Sequence, residues 1–168
     1  MKPELFRAVL GSEDCKAIID SLETSQPILN ETGNSRFTTY PIPPSLRKSV
    51  ISQLHTLRYL YLDNIGMSYV FPDAPIIELA NIKVYEPGDS MYWHVDAVTK
   101  DTIGRVLGFL FYLNDEYTGG ETQYHEHGYF RGDAGDCLVF SPTWENPHCG
   151  TEVKTGKKII LTCYLRVN

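Results

Sequence analysis

Residues 104–113 read Gly-Arg-Val-Leu-Gly-Phe-Leu-Phe-Tyr-Leu, a stretch that is apolar on both faces. Such a run offers no side to water, so it predicts a central strand, paired at both edges and covered above and below. The rest of the chain must supply that cover, and its two halves differ in texture. From Ile76 onward, strand-like runs at 76–85, 93–98, 104–113, 121–127 and 157–167 alternate with turns, Gly119-Gly120 being one break. Segments 128–131 and 136–141 read as a hairpin around 132–135. Before Ile76 there are two helical patterns. Residues 5–25 read as a helix, with Ser12 as N-cap and Cys15, Ile18, Ile19 and Leu22 at helical spacing, limited by Pro27. Residues 28–45 read as loop and short strand, extended over 36–40 before Pro41, Pro43 and Pro44. A second helix is expected from Ser45 to Leu62, with Leu46, Val50, Leu54, Leu57 and Tyr61 as its apolar stripe. Gly66 and the Pro72/Pro75 pair close this layer. The sum is a mainly β fold, a barrel or sandwich with two flanking helices on one side. We expect one domain over 1–168, with 1–75 as mostly helical support and 76–168 as barrel core.

Charge and cysteine content narrow the function classes. Fifteen Lys and Arg stand against 21 Asp and Glu, a formal charge of −6, which argues against a binder driven by nucleic-acid phosphates. The longest apolar runs, 106–113 and 159–161, are too short to span a bilayer. Met1-Lys2-Pro3-Glu4 opens no secretory signal, so the expected location is cytoplasmic. Cys15, Cys137, Cys149 and Cys163 form no C-x-x-C pair and are expected as buried, reduced thiols. The sequence does not set the oligomeric state.

His94-Val95-Asp96 places an imidazole and a carboxylate two residues apart, and on a strand such residues share a face. Two His and one carboxylate on one side of a metal are the ligand set of non-haem Fe(II) oxygenases, which leaves positions open for other ligands. The remaining histidines are His55, His125, His127 and His148. His55 falls in the second helix. His125 and His127 are a rival i, i+2 pair, or a solvated turn. His148 follows Pro147 immediately before a strand. On the last strand, period two puts Lys158, Ile160, Thr162 and Tyr164 on one face and Ile159, Leu161, Cys163 and Leu165 on the other. Lys158 can therefore project inward with Thr162 and meet an anion, or Lys157-Lys158 is a solvated turn.

These residues fall into a pattern that resembles the iron- and 2-oxoglutarate-dependent dioxygenases of the prolyl 4-hydroxylase type. The matching segments are Tyr85-x-x-Gly88 with His94-x-Asp96, Leu110-Phe-Tyr112-Leu-Asn114, Gly119-Gly120-Glu121-Thr122, Gly135-Asp136-x-Leu138-x-Phe140, and His148 followed by Gly156-Lys157-Lys158. They occur in the family's order. The resemblance implies a double-stranded β-helix, or jelly roll, flanked by helices. It implies His94, Asp96 and His148 as Fe(II) ligands and Lys158 as partner of the distal carboxylate of 2-oxoglutarate. It carries Tyr85 over as lining the cosubstrate pocket, Tyr112 as a hydrogen-bond donor to the same carboxylate, and Thr162 as a further match. One feature departs from the family: Met91 stands where many members have Tyr. Many other 2-oxoglutarate oxygenases use Arg with Ser two residues on, whereas Lys158 with Ile160 is compatible with the prolyl hydroxylase branch.

The implied activity is C–H hydroxylation, with Fe(II), 2-oxoglutarate and O2 as cofactor and cosubstrates and ascorbate as reductant. A prolyl or other side chain of a peptide or protein is the first expectation for the substrate. A free amino acid, another small molecule or a modified base is the alternative, and a non-catalytic, cupin-like metal-binding sensor is the alternative from another class. The apolar run 106–113 is expected to keep the pocket dry. Segment 97–104 reads as a flap or an ordinary connection, and Tyr92, Trp93 and Trp144 as a peptide groove or as core.

Overall fold

Alternation along the central strand divides the molecule into an outer and an inner layer. The computed structural model describes residues 1–29, 35–69, 71–72 and 75–167; residues 30–34 of the expected loop lie outside them. In chain order the elements are β1 (Glu4–Phe6), α1 (Ser12–Asp20), β2 (Ile28–Leu29), β3 (Thr38–Pro41), α2 (Arg47–Asn64), β4 (Ile76–Tyr85), β5 (Met91–His94), β6 (Arg105–Tyr112), β7 (Tyr117–Gly119), β8 (Thr122–Tyr124), β9 (Gly128–Phe130), β10 (Cys137–Phe140), β11 (His148–Gly150), β12 (Val153–Gly156) and β13 (Lys158–Arg166). The larger sheet has the order β1-β10-β6-β13-β4-β3-β2, the smaller one β5-β11-β8-β9, and β12 pairs with β7. The run at 104–113 is central as expected, with β10 on one edge and β13 on the other.

Leu107, Phe109 and Phe111 of β6, with Ile159, Leu161, Cys163 and Leu165 of β13, face outward. They pack against Cys15 and Ile18 of α1 and Val50, Leu54, Leu57 and Tyr61 of α2. Each fully buried aliphatic or aromatic side chain here contributes roughly 1.5–3 kcal/mol. The intervening residues face inward. Tyr85, Leu110, Tyr112, Leu138, Phe140 and Ile160 meet Tyr124 and Val153 across the gap between the sheets. Two antiparallel sheets closed around this second core form the expected double-stranded β-helix, with the helices on the outer face of the larger sheet. All four cysteines are free and buried. Among the described residues, no helix is long and apolar enough to cross a membrane.

Four local expectations are corrected. Residues 5–11 are not helical: Leu5 and Phe6 pair with Leu138 and Cys137 as an edge strand. Ala8 then turns at φ 50°, with its N–H on Asp136 Oδ1 at 2.9 Å. Ser12 is the first helical residue rather than the cap; Gly11 holds the extended N-cap position and no side chain caps the helix. The hairpin expected from 128–131 and 136–141 does not form. Phe130 pairs back with Thr122 in the smaller sheet, whereas β10 pairs with β1 and β6 in the larger one. Residues 131–136 therefore cross between sheets. Gly132 passes so close beneath Tyr112 that a Cβ there would lie 2.3 Å from its ring. The second helix starts at Arg47, two residues after the expected Ser45, behind a short 3-10 turn at Pro44–Leu46.

Candidate active site

The strand expected at 93–98 instead ends at His94, so Asp96 does not share a strand face with it. Asp96 sits in a bend, where its own N–H and that of Ala97 both donate to Pro142 O at 3.0 Å. Two segments distant in sequence thus set the carboxylate's direction. His148 opens β11 and is the direct register partner of His94, which brings the distal imidazole beside the first, with ring centroids 4.4 Å apart. Asp96 Oδ1 lies 3.3 Å from His94 Nε2, and Oδ2 lies 3.5 Å from His148 Nε2. One ligand atom from each of the three lies within 4.8 Å of the others.

The other ring nitrogens fix the tautomers. His94 Nδ1 is 2.7 Å from Tyr92 O, and His148 Nδ1 is 3.0 Å from Asn146 O. A carbonyl only accepts, so each Nδ1 carries the proton and each Nε2 turns a lone pair inward. Burial pushes the His148 pKa down, against the pull of Asp96, which favours the neutral ring. Burial pushes Asp96 up, but the adjoining imidazoles and the charge of Lys83 outweigh it, so the carboxyl lies below its ordinary range. Asp96 Oδ2 is buried without a hydrogen-bond partner among the described residues. Two lone pairs and a carboxylate aimed at one point repel each other unless a cation sits between them. These residues fit a divalent metal, and the donor set of two nitrogens and a carboxylate suits iron(II). His55 is exposed on α2; His125 is exposed and His127 half-buried in the turn after β8, away from this cluster.

The same cavity is lined at its other end by Lys158, with Tyr85, Leu110, Thr122, Ile160 and Thr162 on its wall. Lys158 is only 2% exposed, so it is no solvated turn residue; that part falls to Lys157, which pairs with Glu86 at 2.8 Å. The Lys158 amine donates to Gly120 O at 2.7 Å and lies 5.3 Å from the Tyr85 ring centroid and 6.0 Å from that of Tyr112. Gly120, at φ 68°, leaves room for the lysine stem, since a Cβ there would stand 3.2 Å from Lys158 Cδ. Burial, reinforced by the charge of Lys83, pulls the Lys158 pKa down to about 7. Among the described residues no carboxylate forms an ion pair with this amine, whose hydrogen-bond partner is Gly120 O. Thr162 Oγ1 is buried without a hydrogen-bond partner among the described residues. Tyr112 OH lies 3.3 Å from Thr122 Oγ1, and Tyr85 OH lies 3.6 Å from Met91 Sδ. Burial raises both tyrosine pKa values, so both stay neutral donors.

Sequence reasoning missed several parts. Of the run at 106–113, only Leu110 reaches the cavity wall, because its odd-numbered neighbours face the helices. Phe140 and Tyr124 instead pack on His148, at 5.2 and 5.1 Å between centroids. Arg105 binds Glu78 through both Nε and a terminal nitrogen, donates to Asp96 O at 3.0 Å, and stacks 3.9 Å over the Tyr164 ring. Lys83 was legible by period two from Tyr85, and it also faces the cavity. Segment 97–104 is a hydrogen-bonded turn in which Thr102 Oγ1 accepts from the N–H groups of Val98 and Thr99. Tyr92, Trp93 and Trp144 are not core: they are 60%, 37% and 78% exposed. They sit on the segments that carry His94 and lead to His148.

Comparison with solved structures supports the fold. A viral collagen prolyl hydroxylase of Paramecium Bursaria Chlorella virus-1, in complex with 2-oxoglutarate, matches with a TM-score of 0.71 at 18% identity, over 100% of this chain and 97% of that one. A prolyl 4-hydroxylase of Pseudomonas putida matches at 0.72 and 17%, over 99% and 92%. A Trichoplax adhaerens prolyl hydroxylase, in complex with a hypoxia inducible factor oxygen degradation domain peptide fragment, matches at 0.70 and 17%, over 98% and 83%. No curated protein matches the sequence significantly. The family model of the 2OG-Fe(II) oxygenase superfamily matches residues 80–166, just over half the chain and the span that contains every residue of the cavity described above. The chain therefore belongs to the 2OG-Fe(II) oxygenase superfamily, the 2-oxoglutarate-dependent dioxygenases.

Proposed function

We propose that the chain, acting as one catalytic domain over 1–168, hydroxylates a C–H bond of a prolyl or other side chain in a peptide or protein. Succinate and CO2 are the co-products. One observation carries the reading: a buried lysine, without an ion-pair partner among the described residues, and three converging metal-ligand side chains line a single cavity. His94, Asp96 and His148 would hold iron(II). Lys158 would take the distal carboxylate of 2-oxoglutarate, with Tyr85 and Thr162 as hydrogen-bonding groups on the cavity wall and Tyr112, its ring centroid 6.0 Å from the amine, reaching it only if its hydroxyl turns from Thr122. Bound iron(II) with 2-oxoglutarate supplies the activation of O2 and the oxidation of the substrate.

The chain's own residues do the rest. The carbonyls of Tyr92 and Asn146 hold both imidazoles with Nε2 inward. Pro142 O and Arg105 hold the Asp96 backbone from its two sides. Leu110, Phe140 and Ile160 exclude water from the cavity wall. Tyr92, Trp93 and Trp144 offer exposed aromatic surface for a peptide. The peptide reading also draws on the Trichoplax adhaerens protein, whose structure holds a peptide fragment. Ascorbate as reductant and a cytoplasmic location belong to the same reading. The test is mass spectrometry of peptides, proteins, free amino acids and modified bases after aerobic incubation with Fe(II), 2-oxoglutarate and ascorbate. A gain of one oxygen on a peptide, matched by succinate, is expected. A gain confined to small molecules would move the substrate class, and no succinate with any substrate would favour a non-catalytic metal-binding module.

A further inference from the structure

Lys83 has no part in the reading above. It lies on β4, two residues before Tyr85 and on the same face. It lines both the metal cavity and an adjoining cleft of about 560 Å³ that also takes in Asn81, Asp96, Arg105 and Tyr164. Its amine has Met91 Sδ as hydrogen-bond partner at 3.9 Å, a weak acceptor, and the Phe37 ring with its centroid at 5.2 Å. Among the described residues, no carboxylate forms an ion pair with it. Asp96 acts on it only through space and is already engaged by the two imidazoles. The neighbouring cation in the cleft differs: Arg105 has Glu78 as counter-ion. Burial lowers the Lys83 pKa, the expected response of an amine without an anion.

The cosubstrate does not supply the missing charge. Iron(II), ionised Asp96, the two carboxylates of 2-oxoglutarate and a charged Lys158 balance to zero, which leaves Lys83 as the uncompensated cation of the loaded site. A half-buried ammonium whose neighbours are a thioether and an aromatic ring gains from an anion, and the open side of Lys83 faces the cleft next to the metal ligands. We infer that the substrate carries a carboxylate close to the carbon that is hydroxylated, and that Lys83 binds it. This rests on the reading of the site as an Fe(II) and 2-oxoglutarate centre. The carboxylate belongs either to a free amino acid or peptide C-terminus, or to an acidic side chain beside the target residue.

The test is anaerobic calorimetry on the protein loaded with Fe(II) and 2-oxoglutarate. The probes are free amino acids and short proline-containing peptides, each in a carboxylate form and a matched carboxamide form. C-terminal and Glu/Gln pairs separate the two sources. The wild-type protein should bind carboxylate members roughly tenfold to hundredfold more tightly than their amides, the worth of one charge-assisted hydrogen bond. Lys83→Met should erase that preference while 2-oxoglutarate affinity stays within about threefold. Lys83→Arg should retain it. Equal affinity for both forms, no binding by either, or a preference that survives Lys83→Met overturns the inference. Failure of 2-oxoglutarate to bind the Fe(II)-loaded wild type overturns the cofactor reading as well, whereas 2-oxoglutarate binding without a carboxylate preference overturns this inference alone.

Discussion

Replacing Lys158 by methionine should move stability and cosubstrate binding in opposite directions. The side chain is 2% exposed, and burial holds its pKa at about 7, against 10.5 for an ordinary lysine. In the unfolded chain at neutral pH the amine is fully charged and hydrated. Holding it in the cavity costs on the order of 4 kcal/mol. Methionine keeps the buried stem and removes that cost, but leaves Gly120 O without its donor, a loss of about 1–2 kcal/mol. The metal- and cosubstrate-free variant should therefore be more stable by about 2–3 kcal/mol, which for a chain of this size raises the Tm by roughly 5–10 °C. A 2-oxoglutarate carboxylate brought into the same place would lack its cation. Breaking such a buried pair costs about 3–5 kcal/mol, so affinity should fall between roughly a hundredfold and several thousandfold. Thermal melts followed by circular dichroism read the first effect, and calorimetric titration of the Fe(II)-loaded protein reads the second. A variant that binds 2-oxoglutarate like the parent would refute the anchor. A variant that loses stability would refute the claim that the buried amine is a cost carried for binding.

The lowered pKa of Lys158 sets two pH dependences. A lysine depressed in the folded state binds more protons when unfolded, so its destabilising effect is complete below about pH 7 and is relieved as pH rises toward 10.5; the advantage of Lys158→Met should shrink over that window, seen as converging Tm values. Because 2-oxoglutarate pairs with the charged form, affinity should be flat below about pH 7 and decline by up to about tenfold per pH unit above it. Lys158→Arg should flatten that decline, and a steep decline persisting in the arginine variant would assign it to another group. Gly108→Ala should cost about 1–3 kcal/mol and weaken metal binding, because the new Cβ would lie 2.6 Å from the Phe140 ring that packs on His148; chemical denaturation and metal titration check the two effects, and an unaffected metal affinity would show that the ring does not set the imidazole.

What was legible followed from short-range periodicity. Period two along β13 assigned Lys158, Ile160, Thr162 and Tyr164 to the inner face, and all four line the cavity. The apolar stripe on α2 and the centrality of 104–113 were legible for the same reason. The errors arose where partners far along the chain decide. Leu5 and Phe6 suit a helix locally, yet pair with β10, more than 130 residues away in sequence. The 128–141 hairpin failed because β9 and β10 belong to different sheets, which no local turn signal records. Asp96 lies beside the two imidazoles by a route other than strand alternation, through a bend whose N–H groups donate to Pro142 O. Lys83 went unnoticed because no motif contains it, although the alternation that places Tyr85 places it too.

The most direct test of the central claim is anaerobic Fe(II) titration, with 2-oxoglutarate present, of the wild type and of His94→Ala, Asp96→Ala, His148→Ala, His125→Ala and His127→Ala. The account predicts one iron per chain for the wild type and for both turn-histidine variants, and loss of tight binding in each of the other three, with the metal-free fold unchanged by circular dichroism. Retention of stoichiometric iron by His94→Ala, Asp96→Ala or His148→Ala, or its loss in His125→Ala or His127→Ala, would contradict it.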